Sequence, residues 1–279
     1  MKIGFIGAGK VGCSLGKYFS LHGARLTGYA SRQAASAKEA ADFTDSNFYP
    51  DAGTLIADSD MIFVTVSDGA IATVWDSIKG EALKGKMLCH CSGSLSSGIF
   101  SDSARYGAFV YSIHPFYAIS SKWESYRDLS SALFTLEGDE EKLDLVKSFL
   151  EGFGNPVQVI TRDGKAVYHA AAVFASNHMV ALAQTAINLL GECGFSPEHA
   201  LSAITPLMQG NLMHIVEDGT VEALTGPVER NDCTTIKRHL DNLPDRYIPL
   251  YQELSKVLVE IGEKKHPETD YGALKELLK

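Results

Sequence analysis

The chain has no Asp or Glu before Glu39, although Lys2, Lys10, Lys17, Arg25, Arg32 and Lys38 all precede it. With a net charge of −9 over 279 residues, the rest of the chain is strongly acidic. That balance excludes a nucleic-acid partner, which leaves a basic footprint over the domain as a whole. A basic start in an acidic protein suggests a bound anion there. Cysteine is also scarce. Five are scattered along the chain, an odd number, which excludes a disulfide framework at this size. Cys89-His90-Cys91 is followed by no second cluster with ligand spacing, so no metal is expected. Long uninterrupted apolar runs are missing. The richest, 170–183, is broken by Ser176, Asn177 and His178, and no membrane span or membrane partner is expected. The opening M-K-I-G-F-I-G runs straight into a strand, so no secretory signal is expected and the compartment is read as cytoplasmic.

Apolar residues make up 45% and charged residues 21%, enough for a sizeable core. Apolar runs of strand length at 2–7, 25–30, 60–66, 86–92, 108–114, 132–137 and 156–161 are interleaved with segments of helical periodicity. Alternation of that kind predicts an α/β doubly wound Rossmann domain with a parallel sheet, over residues 1–162. From 163 to 279 the pattern is all-helical and predicts a substrate and dimerisation domain. It opens on one long helix, apolar on nearly every face and ended by Gly191 and Gly194, which would be buried in a helical domain or a dimer. Ser196-Pro197-Glu198 signals a further helix start, and Asp232 is placed to cap another.

Gly7-Ala8-Gly9-Lys10-Val11-Gly12 follows the first strand and opens the first helix, the setting that a dinucleotide fingerprint requires. Gly7 permits the tight turn, Gly9 lets a pyrophosphate approach, and Gly12 lets helix and strand pack. The helix start offers unsatisfied N–H groups to phosphate. At the end of the second strand the usual acid, which holds the ribose 2′-hydroxyl of NAD, is absent. Ser31 and Arg32 stand there instead. A guanidinium presents a planar fork of donors to phosphate oxygens, so the cofactor expected is NADP in preference to NAD.

Ligands of such sheets bind beyond the carboxyl ends of the strands. Val66, Ser67 and Asp68 close one strand, with Val66 and Ser67 expected along the nicotinamide ribose. Ser92, Gly93 and Ser94 follow another, read as a serine-rich helix start whose N–H groups hold a substrate carboxylate, with Ser92 also touching the cofactor. His114 precedes Pro115, which forces an extended backbone and projects the imidazole into the crevice. On the long helix Tyr168, His169, Ser176 and Asn177 are polar exceptions that must find partners, whether one another, a second subunit or a small-molecule substrate.

Several of these motifs together resemble a bacterial family of NADP-binding Rossmann proteins with an uncharacterised helical C-terminal domain, within the β-hydroxyacid dehydrogenase and pyrroline-5-carboxylate reductase superfamily. They are G-A-G-K-V-G, S-R, H-C-S-G-S-L-S-S (90–97), S-I-H-P-F (112–116), Y-H-A-A-A-V-F-A-S-N-H (168–178) and T-G-P-V-E-R-N-D (225–232). The resemblance implies a dehydrogenase or reductase, a homodimer through the helical domain, and an active site between the domains. Arg230-Asn231-Asp232 departs from the Arg-Gly-Asp usual in that branch. A larger departure is the catalytic lysine that hydroxyacid dehydrogenases carry near the start of the long helix. Counted from Gly164 its position is Tyr168, and Lys165 falls one turn early. The proton donor for hydride transfer is then sought in His114, Tyr168 or His169. Two further readings stand beside the oxidoreductase: a non-catalytic NADP-binding sensor or assembly module, and a deazaflavin-dependent NADP reductase, for which no second cofactor site is evident in the sequence.

Overall fold

A computed structural model describes all residues, 1–279. The first part alternates strand and helix: β1 Lys2–Ile6, α1 Lys10–Leu21, β2 Arg25–Ala30, α2 Ala34–Thr44, β3 Asn47–Phe48, α3 Ala52–Asp58, β4 Met61–Val64, α4 Asp68–Ile78 and β5 Met87–His90. It continues through β6 Phe109–Pro115, β7 Phe134–Gly138, α5 Leu143–Glu151 and β8 Val157–Val159. The eight strands form one sheet in the order β3-β2-β1-β4-β5-β6-β7-β8. The right-hand half of that order climbs away from β1, and β2 and β3 lie on its other side. The reversal at β1/β4 makes the crevice of a doubly wound fold, where such sheets bind their ligands. Ile3, Phe5, Phe63, Cys89, Tyr111 and Ile113 bury one face of the sheet, and Ile62, Val64, Leu88 and Val110 bury the other. Burial on both faces is what continuous apolar strands demand.

Two strand features differ from the sequence reading. The short β3 was not expected, because two residues carry no periodic signal. It is held by pairing of Gly28 and Tyr29 with Asn47 and Phe48. The sheet is also not wholly parallel: β7 runs antiparallel to β6. Residues 116–133 contain no crossover helix, so the chain returns at the end of the sheet it has just left. This return loop is attached to both α1 and α2. Phe43 of α2 packs edge-on against Trp123 and Tyr126, at 4.9 and 5.7 Å between ring centroids. From α1, the Ser14 hydroxyl donates to the Ser121 carbonyl at 3.2 Å.

The chain divides into two compact units, Met1–Met179 and Val180–Lys279. α6 Lys165–Ala175 belongs with the sheet unit, where its Tyr168 meets β6. The remaining helices are α7 Asn177–Glu192, α8 Pro197–Ala223, α9 Cys233–Asn242, α10 Ile248–Lys265 and α11 Gly272–Leu277. Val228, Ile236, Val259, Tyr271, Leu274 and Leu278 form the core of the second unit. Ser196 and Asp232 cap α8 and α9, accepting from the His199 and Thr235 backbone N–H groups.

The single long helix of the sequence reading is broken. Ser176 leaves helical geometry (φ −127°, ψ −75°), and its hydroxyl donates to the Ala172 carbonyl at 2.7 Å and to Asn177 Oδ1 at 3.1 Å. Back-bonding of a serine hydroxyl competes with the helix ladder and bends the rod. The two helices are not buried all round either. Val167, Phe174 and Val180 are 75%, 65% and 71% exposed. Contrary to the sequence reading, Lys165–Glu192 taken as one stretch is long and apolar enough to cross a membrane by length and composition alone. The break at Ser176 lies within that stretch.

Gly28 shows how tightly the sheet edge is drawn. Its φ is +148°, and an added Cβ would overlap the Asn47 carbonyl. Gly28→Ala should lower stability by about 1–3 kcal/mol through backbone strain and that overlap. Urea melts of the two proteins check it, and a change below about 0.5 kcal/mol would mean that β3 yields instead.

Candidate active site

β1 is followed by Gly7, whose φ of +110° turns the chain sharply into α1. The Gly7 N–H donates to the Ala30 carbonyl at 2.8 Å, tying the turn to β2. A Cβ on Gly7 would sit 2.8 Å from the Thr65 carbonyl, and one on Gly12 would overlap the Thr65 side chain. At Gly9, by contrast, a Cβ would meet nothing nearer than the Thr65 carbonyl at 3.9 Å, so the backbone stands open. α1 begins at Lys10 with no acid in its first turn. The open side faces a groove of about 550 Å³ lined by Gly7, Ala8, Gly9, Ser31, Arg32, Val66 and Ser67, with Gln33, Ser36 and Thr65. Lys10, Val11 and Gly12 lie in α1 beyond its lining, and Ser92 is also outside it.

Ser92, Gly93 and Ser94 do not begin an α-helix. They sit in a loop, and the next helical residues are the single 3-10 turn Ser97–Ile99. The donors of Ser92 and Ser94 are already used locally. The Ser92 N–H donates to His90 Nδ1 at 3.2 Å, and the Ser94 and Leu95 N–H groups donate to Ser92 Oγ at 3.2 and 3.0 Å. The Ser92 and Ser94 hydroxyls both donate to Asp68 Oδ2, at 2.7 and 3.1 Å. The helix-start anion site read from the sequence is therefore absent, because serine side chains close a turn in place of a helix. Asp68, the first residue of α4, instead ties this loop to the end of β4.

The loop presses on two histidines. A Cβ at Gly93 would sit 2.5 Å from His169 Nδ1 and 3.1 Å from His114 Nε2, so only glycine fits. His114 is near the end of β6, as Pro115 predicts, and its Nδ1 lies 2.6 Å from the Tyr168 hydroxyl. The His114 and His169 rings meet edge to face with centroids 6.4 Å apart. A cavity of about 320 Å³ opens beside them, lined by His114, Phe116, Tyr117, Ala118, His169, Ala172, Val173, Ala175, Ser176 and Asn177. Four residues singled out from the sequence share it: His114, His169, Ser176 and Asn177. Tyr168 stands behind His114, and Ser92, Gly93 and Ser94 stay outside the lining.

Sequence reasoning missed three polar groups. Lys165, set aside as one turn early, is buried, and its Nζ has no hydrogen-bond partner. Its spacing of four residues from His169 was the available signal, since residues four apart share a helix face. His90 is fully buried with Nε2 unpartnered. The third, Asp68, had been named only as the end of a strand. Burial pushes the His90 imidazole down to about 4. Burial, then the nearby Lys165 and His169 charges, push His114 down to about 4 as well. Burial also pushes the Lys165 ammonium down to about 8.

The N-terminal residues 2–94 match the family model described as NADP oxidoreductase coenzyme F420-dependent. Residues 132–258 match the model of a domain of unknown function, DUF2520. Among solved structures, protein TM1727 from Thermotoga maritima is 31% identical over 94% of this chain and 99% of its own, with a TM-score of 0.74. Protein BF3122 from Bacteroides fragilis is 24% identical over 93% of this chain and 98% of its own, TM-score 0.69. A 1-pyrroline-5-carboxylate reductase from Streptococcus pyogenes is 16% identical over 96% and 98%, TM-score 0.65, a likeness of fold. No curated protein matches the chain. The chain belongs to the family that joins an NADP-oxidoreductase domain of Rossmann type to a DUF2520 domain.

His90 and His114 make stability depend on pH. Unfolded, each takes up a proton near 6.5; folded, only near 4. Between those values the unfolded chain binds more protons, so stability is lost as pH falls through the window. Removing one such group by His90→Gln should flatten the fall between about pH 7 and about pH 5 by on the order of 1–2 kcal/mol. Urea melts at both pH values test this, and equal slopes for the two proteins would refute it.

Proposed function

We propose that the protein is an NADP-dependent oxidoreductase that passes hydride between the nicotinamide ring and a small C=O or C=N substrate held in the cavity beside His114. The observation that carries the reading is the coexistence, in one unit, of the glycine-lined groove with Arg32 at its edge and the cavity walled by the His114–Tyr168 pair. The groove fits the nucleotide. Its backbone is open at Gly9, the helix start carries no acid, and Arg32 is exposed. When bound, the nicotinamide cofactor supplies or accepts the hydride.

Each protein group then has a task. The N–H groups at the start of α1 hold the pyrophosphate, and Ser31 and Arg32 hold the 2′-phosphate. Val66 and Ser67 line the far end of the groove. His114 holds the proton that the substrate heteroatom gains, with Tyr168 behind it. His169, Ser176 and Asn177 offer the substrate polar partners, while Phe116 and Val173 keep the cavity apolar. NADP is preferred because a charged hydrogen bond contributes about 1.5–3 kcal/mol, roughly 10- to 150-fold in affinity.

We further propose a homodimer through the helices from α6 onward. Large apolar side chains stand exposed along these helices, among them Val167, Phe174, Val180, Leu207 and Val216, each 65–75% exposed, and a partner chain would cover them. Light scattering should give twice the chain mass of 30.2 kDa. A monomer at micromolar concentration would remove this part of the reading.

Arg32→Asp should weaken NADP roughly 10- to 150-fold and leave NAD binding within about twofold, measured by thermal shift and calorimetry. If neither nucleotide stabilises the wild-type protein at millimolar concentration, the cofactor assignment fails. A screen of small keto acids, imines and an oxidised deazaflavin for NADPH oxidation tests the activity. Turnover that falls in His114→Asn and Tyr168→Phe, with NADP affinity kept, is the expected result. NADP binding with no turnover on any class would favour the sensor.

A further inference from the structure

α6 carries Lys165 one turn before His169, on the same face. Lys165 is 2% exposed and its Nζ has no hydrogen-bond partner. The nearby acid Glu137 is already engaged: it accepts from the Ser97 hydroxyl at 2.9 Å and from the Ser97 N–H, and faces Arg162 at 3.8 Å. Leaving an ammonium buried and unpaired costs several kcal/mol, so its presence beside Tyr168 calls for a physical account. The Nζ lies 5.2 Å from the centroid of the Tyr168 ring, and the Tyr168 hydroxyl meets His114 Nδ1.

We propose that Lys165 is a positioning residue of this site: its ammonium keeps the His114–Tyr168 pair in one arrangement, with the phenol donating to a neutral imidazole at Nδ1 and Nε2 carrying the N–H beside Gly93. The proposal rests on reading the adjoining cavity as the substrate site. A neutral imidazole has one donor and one acceptor, whereas an imidazolium has two donors and cannot accept from Tyr168. Of the two possible donors in this contact, the phenol is the more acidic and the ring nitrogen the better acceptor. A positive charge close by disfavours a second proton on the ring.

The groups facing His114 act almost entirely in that direction. Lys165, His169 and Tyr168 come from α6, His90 from β5, and Asp68 from the start of α4. Asp68 alone pulls the other way, and its Oδ2 is occupied by the Ser92 and Ser94 hydroxyls. Between about 4 and about 8, Lys165 is charged while His114 is neutral. The arrangement has a chemical use. When a substrate oxygen or nitrogen gains an electron pair, the Nε2–H bond breaks to protonate it. Nδ1 then takes the phenol proton, and the negative charge rests on Tyr168 beside the Lys165 ammonium until solvent returns a proton. The hydride of such a reaction comes from the dihydronicotinamide. The site therefore suits substrates whose reacting heteroatom must be protonated as it is reduced.

The test is nitrogen NMR of histidine-labelled protein without nucleotide, the His114 signals being assigned by comparison with His114→Asn. In the wild type His114 should show the Nε2–H tautomer and stay neutral from about pH 5 to about pH 7. Lys165→Met should raise the pH at which His114 protonates by about one unit, and Lys165→Arg should leave it in place. An Nδ1–H tautomer in the wild type, or an unchanged His114 titration in Lys165→Met, overturns the proposal. The tautomer is read in the wild type, so the test survives a variant that fails to fold. These signals need neither cofactor nor turnover, so a failed reductase assay and a failed positioning role are told apart.

Discussion

Three backbones come together where Gly7, Gly12 and Thr65 meet, and the nucleotide side of the molecule depends on that contact. The Thr65 hydroxyl donates to the Gly7 carbonyl at 2.9 Å, and a side chain at either glycine would strike Thr65. The approach pins the end of β4 against the turn between β1 and α1. It aims the free N–H groups of α1 at one side of the turn, and it sets Val66 and Ser67 on the opposite wall of the groove. One methyl group at Gly12 would overlap Thr65 and the Gly7 carbonyl and push the helix off the sheet. The crevice is thus a product of packing as much as of topology.

A second constraint governs the chemistry side. Around the loop from Cys91 to Ser94, the site brings together more titratable groups than it can satisfy. His90, His114, His169 and Lys165 meet there with Asp68 the only acid that bonds the loop. Burial disfavours charge on His90, His114 and Lys165, and the Lys165 charge adds to the effect at the two histidines. The outcome is a pair of neutral imidazoles, His90 and His114, beside one buried ammonium, joined to their neighbours by directional hydrogen bonds. A cluster of that kind can move a proton without first having to shed one to water.

The sequence made the nucleotide half legible because its signal is local. A tight turn, a close approach and an open backbone each need glycine at a fixed offset, and Gly7, Gly9 and Gly12 meet those needs within six residues. Ser31 and Arg32 are equally readable, since the end of β2 follows from the strand pattern. His114 was legible through Pro115. What escaped depends on tertiary contacts. β3 is two residues long and exists only through its pairing with β2. The direction of β7 follows from the route of residues 116–133, which no periodicity encodes. The helix break comes from one serine hydroxyl turning back to Ala172. Lys165 was passed over because its position was judged against a familiar spacing, when the relevant relation was its own helix face, shared with His169.

The return loop between β6 and β7 carries a mechanical consequence. Its first residues, Phe116 to Ala118, are wall of the cavity beside His114. Its later residues are bolted to the nucleotide helices, through Ser121 to α1 and through Trp123 and Tyr126 to Phe43 of α2. One short segment therefore reaches from the cavity to the helices beside the glycine-lined groove, like a lever with an arm at each. Had β7 run parallel, a crossover helix would have carried these residues to the far end of the sheet, and the two sites would have had no common strut.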